Sequence, residues 1–114
     1  MLTSGDVVDV ELGAPEGREA GFIRPAVVVT AQRILDLDPS VIQVVPLTSA
    51  VRSFESEVLV DPDDLNGLGV PSAAQCQHIR AVSTRRARSV AGNVGPIVLA
   101  QVREAIGVLL DLPA

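Results

Sequence analysis

Lysine, tryptophan and tyrosine are missing from this chain of 114 residues. There is one Cys, one His and one Met, and Phe22 and Phe54 are the two phenylalanines. Without a set of rings, the platform on which many single-strand binders stack successive bases is not available, so any such recognition would rest on hydrogen bonds and arginine stacking. A lone Cys76 forms no internal disulfide, and Cys76 with His78 cannot supply the four Cys/His ligands of a structural zinc site. Paired-carboxylate, P-loop and Gly-x-Ser-x-Gly patterns are absent, which argues against metal and triad chemistry; no cofactor is expected. No apolar run approaches the roughly 20 residues of a membrane helix, and no basic segment leading into an apolar one opens the chain. These absences predict a cytoplasmic protein with no membrane partner.

What is present is apolar and β-branched. With 47% hydrophobic residues and a mean hydropathy of +0.38, the chain is too apolar to be disordered. Its length predicts a single domain over residues 1–114 that buries about two thirds of its unfolded surface, a size at which a second subunit helps. Val8, Val10 and Leu12 alternate with Asp9 and Glu11, the period of a half-buried strand. The runs 26–30 and 41–47 are continuously apolar, as expected of strands covered on both faces. Residues 31–38 read as a short helix or turn, residues 57–60 as another strand, and Asp61-Pro62-Asp63-Asp64 as a helix start. A strand over about 72–82 leads to an arginine-rich turn. After Gly95, Pro96 sits as a first helical residue, and Val98, Val102, Ile106, Leu109 and Leu110 recur at helical spacing over about four turns. The fold class read from this pattern is mainly β with helices (α+β): short strands in a small, strongly bent barrel or sandwich with a C-terminal amphipathic helix.

Net charge is −5 with a sequence pI near 4.6, which as a whole repels a polyanion. All nine basic residues are arginine, however, and Arg80, Arg85, Arg86 and Arg88 fall in one short stretch. Arginine matches phosphate with a bidentate fork. Two further polar groups stand at strand edges where a scaffold can hold them rigidly. Arg24-Pro25 runs into the strand 26–30, and the strand 41–47 ends at Thr48-Ser49. Local sequence alone reads Arg24 by default as an ordinary surface arginine before a proline, and reads Thr48 equally well as a hydroxyl closing a turn.

The order and spacing of these segments decide between the readings. Ser4-Gly5-Asp6-Val7-Val8-Asp9-Val10, Gly17-Arg18-Glu19, Arg24-Pro25-Ala26-Val27-Val28-Val29 and Val45-Pro46-Leu47-Thr48-Ser49 follow one another. Ser72-Ala73-Ala74-Gln75, Ile79-Arg80-Ala81-Val82 and Arg86 with Gly92 come after them. In this series the chain resembles the MazF/PemK (Kid-like) family of type II toxin–antitoxin endoribonucleases over nearly its whole length. The resemblance implies an SH3-like barrel of the MazF/PemK/CcdB type. It also implies metal-independent, sequence-specific cleavage of single-stranded RNA (messenger, ribosomal or transfer), a homodimer, and silencing by a cognate antitoxin with an acidic tail. The family's catalytic arginine and threonine match Arg24 and Thr48. RNA supplies its own nucleophile: the ribose 2′-OH attacks the adjacent phosphorus, leaving the protein to align it, move protons and stabilise charge. Since arginine hardly deprotonates, Arg24 is read as stabilising the phosphorane-like transition state, and Thr48 as positioning phosphate or 2′-OH.

Supporting candidates are Glu19, Ser49, Gln75 and His78. Glu19 would orient Arg24 or accept a proton, although a solvated loop carboxylate is the commoner fate. His78 has the ordinary pKa of a general acid or base, although a lone His is more often a structural hydrogen bonder. Candidates for RNA contact are Arg18, Phe22, Arg52, Phe54, Arg80, Arg85 and Arg88, with core packing the commoner fate for either ring and a structural tie an equal reading for Arg80. Where Kid-like members carry Arg-x-Asp, this chain has Gln75-Cys76-Gln77, which leaves the MazF-like Arg/Thr arrangement. A second function class is a non-catalytic interaction module, or a CcdB-type toxin that acts on gyrase.

Overall fold

Both long apolar runs become strands with a hydrophobic layer on each side. The structure is a computed structural model describing residues 1–14, 16–18 and 22–113. Its strands are β1 (Asp6–Glu11), β2 (Ile23–Val28), β3 (Val41–Thr48), β4 (Glu57–Val60), β5 (Ser72–Gln75), β6 (Arg80–Ser83) and β7 (Ala87–Asn93). A short helix α1 (Gln32–Leu35) joins β2 to β3, and α2 (Gly95–Leu109) ends the fold. All pairings are antiparallel, in the order β4-β5-β3-β2-β1-β7, with β6 also on β3.

Alternate residues of β1, β2 and β3 serve two cores. Val7, Val27, Val45 and Leu47 face one, with Val60, Ala74, Cys76 and the α2 residues Leu99 and Val102. Val8, Val10, Ala26, Val28, Ile42 and Val44 face the other, closed by Leu35 and Val82. Burial on both faces is why the runs in β2 and β3 show no apolar/polar alternation. Curvature is strong, with register shifts along β1–β7 between Val7 and Val8 and between Val8 and Val10, the kind of irregularity that bends a sheet. The mainly β fold with its C-terminal helix is therefore as expected from the sequence. Among the described residues the sheet is curled and open, since no pairing joins β4 to β7.

Two local expectations are corrected. The 72–82 strand is two, because Cys76–His78 makes a 3-10 turn that lets β5 and β6 both pair with β3. At the switch stands Pro46, between the last β6 contact at Val44 and the first β5 contact at Leu47, where a missing N–H is tolerated. Asp61-Pro62-Asp63-Asp64 starts no helix: Asp63 Oδ1 accepts from the backbone N–H groups of Leu65 and Asn66, each at 2.8 Å, closing a turn instead. Residues 87–93, to which the sequence pattern assigned no element, form β7. Gly92 packs so closely under the preceding loop that a Cβ there would meet the Leu65 carbonyl oxygen at 2.2 Å.

The helix forms as expected, but its buried stripe is Leu99 and Val102 with Val98, Ala105 and Ile106 against the core. Leu109 and Leu110 are exposed. Both rings also depart from the core expectation: Phe22 is 68% and Phe54 50% exposed, because each lies in a connection outside the two cores.

Candidate functional site

The β2–β3 register runs Ala26↔Pro46, Val27↔Val45, Val28↔Val44. Continued by two residues, the same offset sets Arg24 opposite Thr48. On the other edge of β3, Thr48 pairs with Ala73, and one strand further Gln75 pairs with Glu57. Residues directly opposite share a face of the sheet, so the ends of β2, β3, β5 and β4 bring Arg24, Thr48, Gln75 and Glu57 to one side. Arg24 is half-buried and its Nη1 donates to Gln75 Oε1 at 3.3 Å. A side chain leaving β2 and reaching β5 crosses β3, which places its guanidinium at the strand end that carries Thr48. The Thr48 Oγ1 accepts from the Ala50 N–H at 3.1 Å, so it closes the turn while remaining half-buried, and Ser49 beside it is exposed.

Beneath this edge lies a group that the sequence reading left as an ordinary strand residue. The Glu57 side chain is only 2% exposed. Its Oε2 accepts from Gln77 Nε2 at 2.7 Å, from Gln75 Nε2 at 3.4 Å and from Arg52 Nη2 at 3.5 Å, while its buried Oε1 has no partner among the described residues. Gln77 Oε1 in turn accepts from the Ser56 hydroxyl at 3.0 Å. The Arg52 guanidinium lies over the Phe54 ring, 4.8 Å from its centroid, a cation–π contact. Arg18, Arg52, Phe54, Gln77 and His78 line a cleft of about 380 Å³. Phe22, Ile23 and Arg88 line a second hollow with Glu11, Gly13 and Ala14.

The remaining arginines sit elsewhere. Arg80 Nη1 donates to the Leu12 carbonyl at 3.4 Å, tying β6 to the end of the β1 segment. Arg88 pairs with Glu11 at 2.8 Å on the surface. Arg85 and Arg86 lie exposed in the turn that follows β6, beyond the Val41↔Ser83 pair, at the opposite end of β3 from Thr48. At roughly 3.3 Å per residue, the seven steps from Val41 to Thr48 separate those ends by about 23 Å. Glu19 lies outside the described residues. No group of three or more His, Cys, Asp or Glu is placed to hold a metal among the described residues, and no helix there is long and apolar enough to cross a membrane.

Cys76, directly after Gln75, is fully buried and lies under the site. Burial pushes its thiol up to about 11, its own backbone hydrogen bond pulls the other way, and the Glu57 charge adds to the rise. It is an inert thiol in the core covered by α2.

The class these observations define is a small curled antiparallel β protein with a half-buried arginine and a threonine at adjacent strand ends. Comparison narrows the class. Residues 3–110 match the family described as PemK-like, MazF-like toxin of type II toxin-antitoxin system, and the chain belongs to that family. It is 37% identical over 117 residues to Endoribonuclease MazF9 of Mycobacterium tuberculosis (strain ATCC 25618 / H37Rv), covering 98% of each chain. The crystal structure of MazF from Deinococcus radiodurans superimposes with a TM-score of 0.79 at 28% identity, covering 96% of both chains. A MazE-MazF crystal structure from the same organism matches with a TM-score of 0.73 at 25% identity, over 96% of this chain and 95% of that one.

Proposed function

We propose that this toxin of the MazF type is an endoribonuclease that cuts single-stranded RNA at the ends of β2 and β3, with Arg24 and Thr48 as the reacting pair. The observation that carries the reading is the Arg24–Gln75 contact, which holds a guanidinium across the strand end where Thr48 stands. In this reading Arg24 binds the scissile phosphate and meets the charge that develops as the 2′-OH attacks phosphorus and the 5′-oxygen leaves. A 2′,3′-cyclic phosphate and a free 5′-hydroxyl result. Thr48 Oγ1 already accepts from Ala50 N–H, so its own proton is free to be donated to a phosphate oxygen or the 2′-oxygen. The exposed cleft between Arg18, Arg52, Phe54, Gln77 and His78 receives a neighbouring nucleotide, with Arg52 as a stacking surface. Arg85, Arg86 and Arg88 contribute at most long-range attraction.

The toxin acts as a homodimer in the cytoplasm, silenced by an antitoxin. The MazE-MazF structure of the relative supports an antitoxin partner, and the three guanidinium groups near the cleft suit an acidic segment competing with RNA. The deciding experiment incubates a diverse single-stranded RNA pool with purified protein in excess EDTA, beside Arg24→Ala and Thr48→Ala. Cleavage by the parent alone, leaving cyclic phosphate ends, is the expected result. Equal cleavage by all three moves the site elsewhere, and an inert but folded parent favours an interaction module.

A further inference from the structure

Resting on the reading of Arg24 as the phosphate-binding group, we infer that Glu57 is the positioning residue of this site: a buried anion that dictates how Gln75 presents itself to Arg24.

A glutamine amide has one acceptor end and one donor end, and which faces which way is set by its neighbours. Gln75 lies between a carboxylate, which only accepts, and a guanidinium, which only donates. The single arrangement that satisfies both sends Nε2 to Glu57 at 3.4 Å and Oε1 to Arg24 at 3.3 Å. Gln77 is oriented by the same carboxylate, with Nε2 on Glu57 at 2.7 Å and Oε1 turned to the Ser56 hydroxyl. One negative charge thus orders both glutamines of the Gln75-Cys76-Gln77 segment and draws in Arg52 as well. It acts on Arg24 only through Gln75, because an amide polarised by an anion at its NH₂ end is a better acceptor at its oxygen. The separations on both sides of Gln75 are long, as is common in sites that tighten only around substrate.

Stability alone does not account for a carboxylate here. Glu57 is buried with its Oε1 unpartnered, and its guanidinium neighbour stands at 3.5 Å on a side chain that is 48% exposed. An unpartnered buried oxygen on an ion is unfavourable, and such arrangements persist where function requires them. A neutral glutamine of the same shape would relieve the burial, but it would let Gln75 turn over and offer Arg24 an NH₂ group instead of an oxygen.

The test compares wild type, Arg24→Ala, Glu57→Gln, Gln75→Met and the Glu57→Gln/Gln75→Met pair, on an oligoribonucleotide containing a mapped cleavage site. Melting temperature and the guanidinium ¹⁵N–¹H spectrum of Arg24 are followed in parallel. Glu57→Gln is expected to lower kcat about 10- to 100-fold, the range seen when a group orienting a reacting side chain is removed. KM should rise by less than about twofold, since removing a negative charge does not weaken binding of a polyanion, and the melting temperature should hold or rise. Gln75→Met should lose a similar factor, and the double variant little more than either single one, because both break one relay. The Arg24 guanidinium signals, held apart by slow rotation in wild type, should merge in Glu57→Gln. That last reading needs no cleavage at all. Full activity of Glu57→Gln beside an inactive Arg24→Ala overturns this inference and leaves the ribonuclease site standing. A fall in melting temperature of Glu57→Gln with Gln75→Met fully active marks a purely structural carboxylate and also overturns it. An inert wild type, or an Arg24→Ala that cleaves normally, removes the reading on which the inference rests.

Discussion

Two groups of arginines on this acidic chain have opposite surroundings. Arg24 emerges from the start of β2 half-buried, with Gln75 fixed against it and a buried carboxylate behind that amide. Arg85, Arg86 and Arg88 stand exposed around the turn into β7, and Arg88 is paired with a surface glutamate. Density of charge is greater in the second group; restraint of charge is greater in the first. Stabilising a transition state needs a donor already aimed at the place where charge develops, since a guanidinium that must be ordered at that moment gives back much of its advantage as entropy. Restraint of this kind is what favours Arg24, rather than the exposed cluster, in the proposed reacting role.

The largest effect should come from Arg24. Arg24→Ala is expected to lower kcat about 10²- to 10³-fold, the range for removing one preorganised donor, with an unchanged circular dichroism spectrum. Arg85→Ala and Arg86→Ala assayed on the same RNA should each change the rate by less than about threefold. A larger loss from the exposed pair would reverse the contrast.

On the β7 side, the backbone contact rather than the arginines should carry the stability. Gly92→Ala drives a methyl into the Leu65 carbonyl and is expected to destabilise by about 3 kcal/mol, the upper end for overpacking, measured by urea denaturation. Unchanged stability would mean that the 61–71 loop is loosely seated there.

Next in size is an alkaline transition beneath the site. The chain has neither Lys nor Tyr, so Cys76 is the one side chain expected to titrate between pH 9 and 11. Its folded value of about 11 lies above the ordinary value of 9.0, so over that window the folded state binds more protons than the unfolded state. Stability then falls as pH rises from about 9 to 11, by about 2 kcal/mol, and stays level between pH 7 and 8.5 as far as this thiol is concerned. Denaturation of wild type and Cys76→Ala across the window checks it, since the variant should lose the slope. The folded thiol should also resist iodoacetamide at pH 8.

The smallest effect belongs to the surface pair. Arg88→Ala should cost less than about 1 kcal/mol of stability, because an exposed ion pair is worth little and salt screens it. A thermal melt of Arg88→Ala at low and high salt measures it.

Much of this was legible along the chain. The valine-rich runs around residues 26–30 and 41–47 could only be covered strands, and Pro96 with the apolar repeat that follows could only open a helix, because burial on two faces and burial on one stripe leave different periods. Arg24 and Thr48 stood out at the borders of those runs, where polarity changes abruptly. Tertiary structure decided what depends on pairing between distant segments. The 72–82 stretch divides because β3 takes two partners on one edge, and no local period records a neighbour 25 to 42 residues away. Glu57 is the sharpest case: it alternates with Val58 and Val60, so the two-residue period assigns it to solvent. It is buried only because β5 lays Gln75 beside it and the following turn folds Gln77 over it. Local sequence determines which face a side chain takes, through the geometry of its own backbone. What covers that face is determined by the strands that the fold brings alongside.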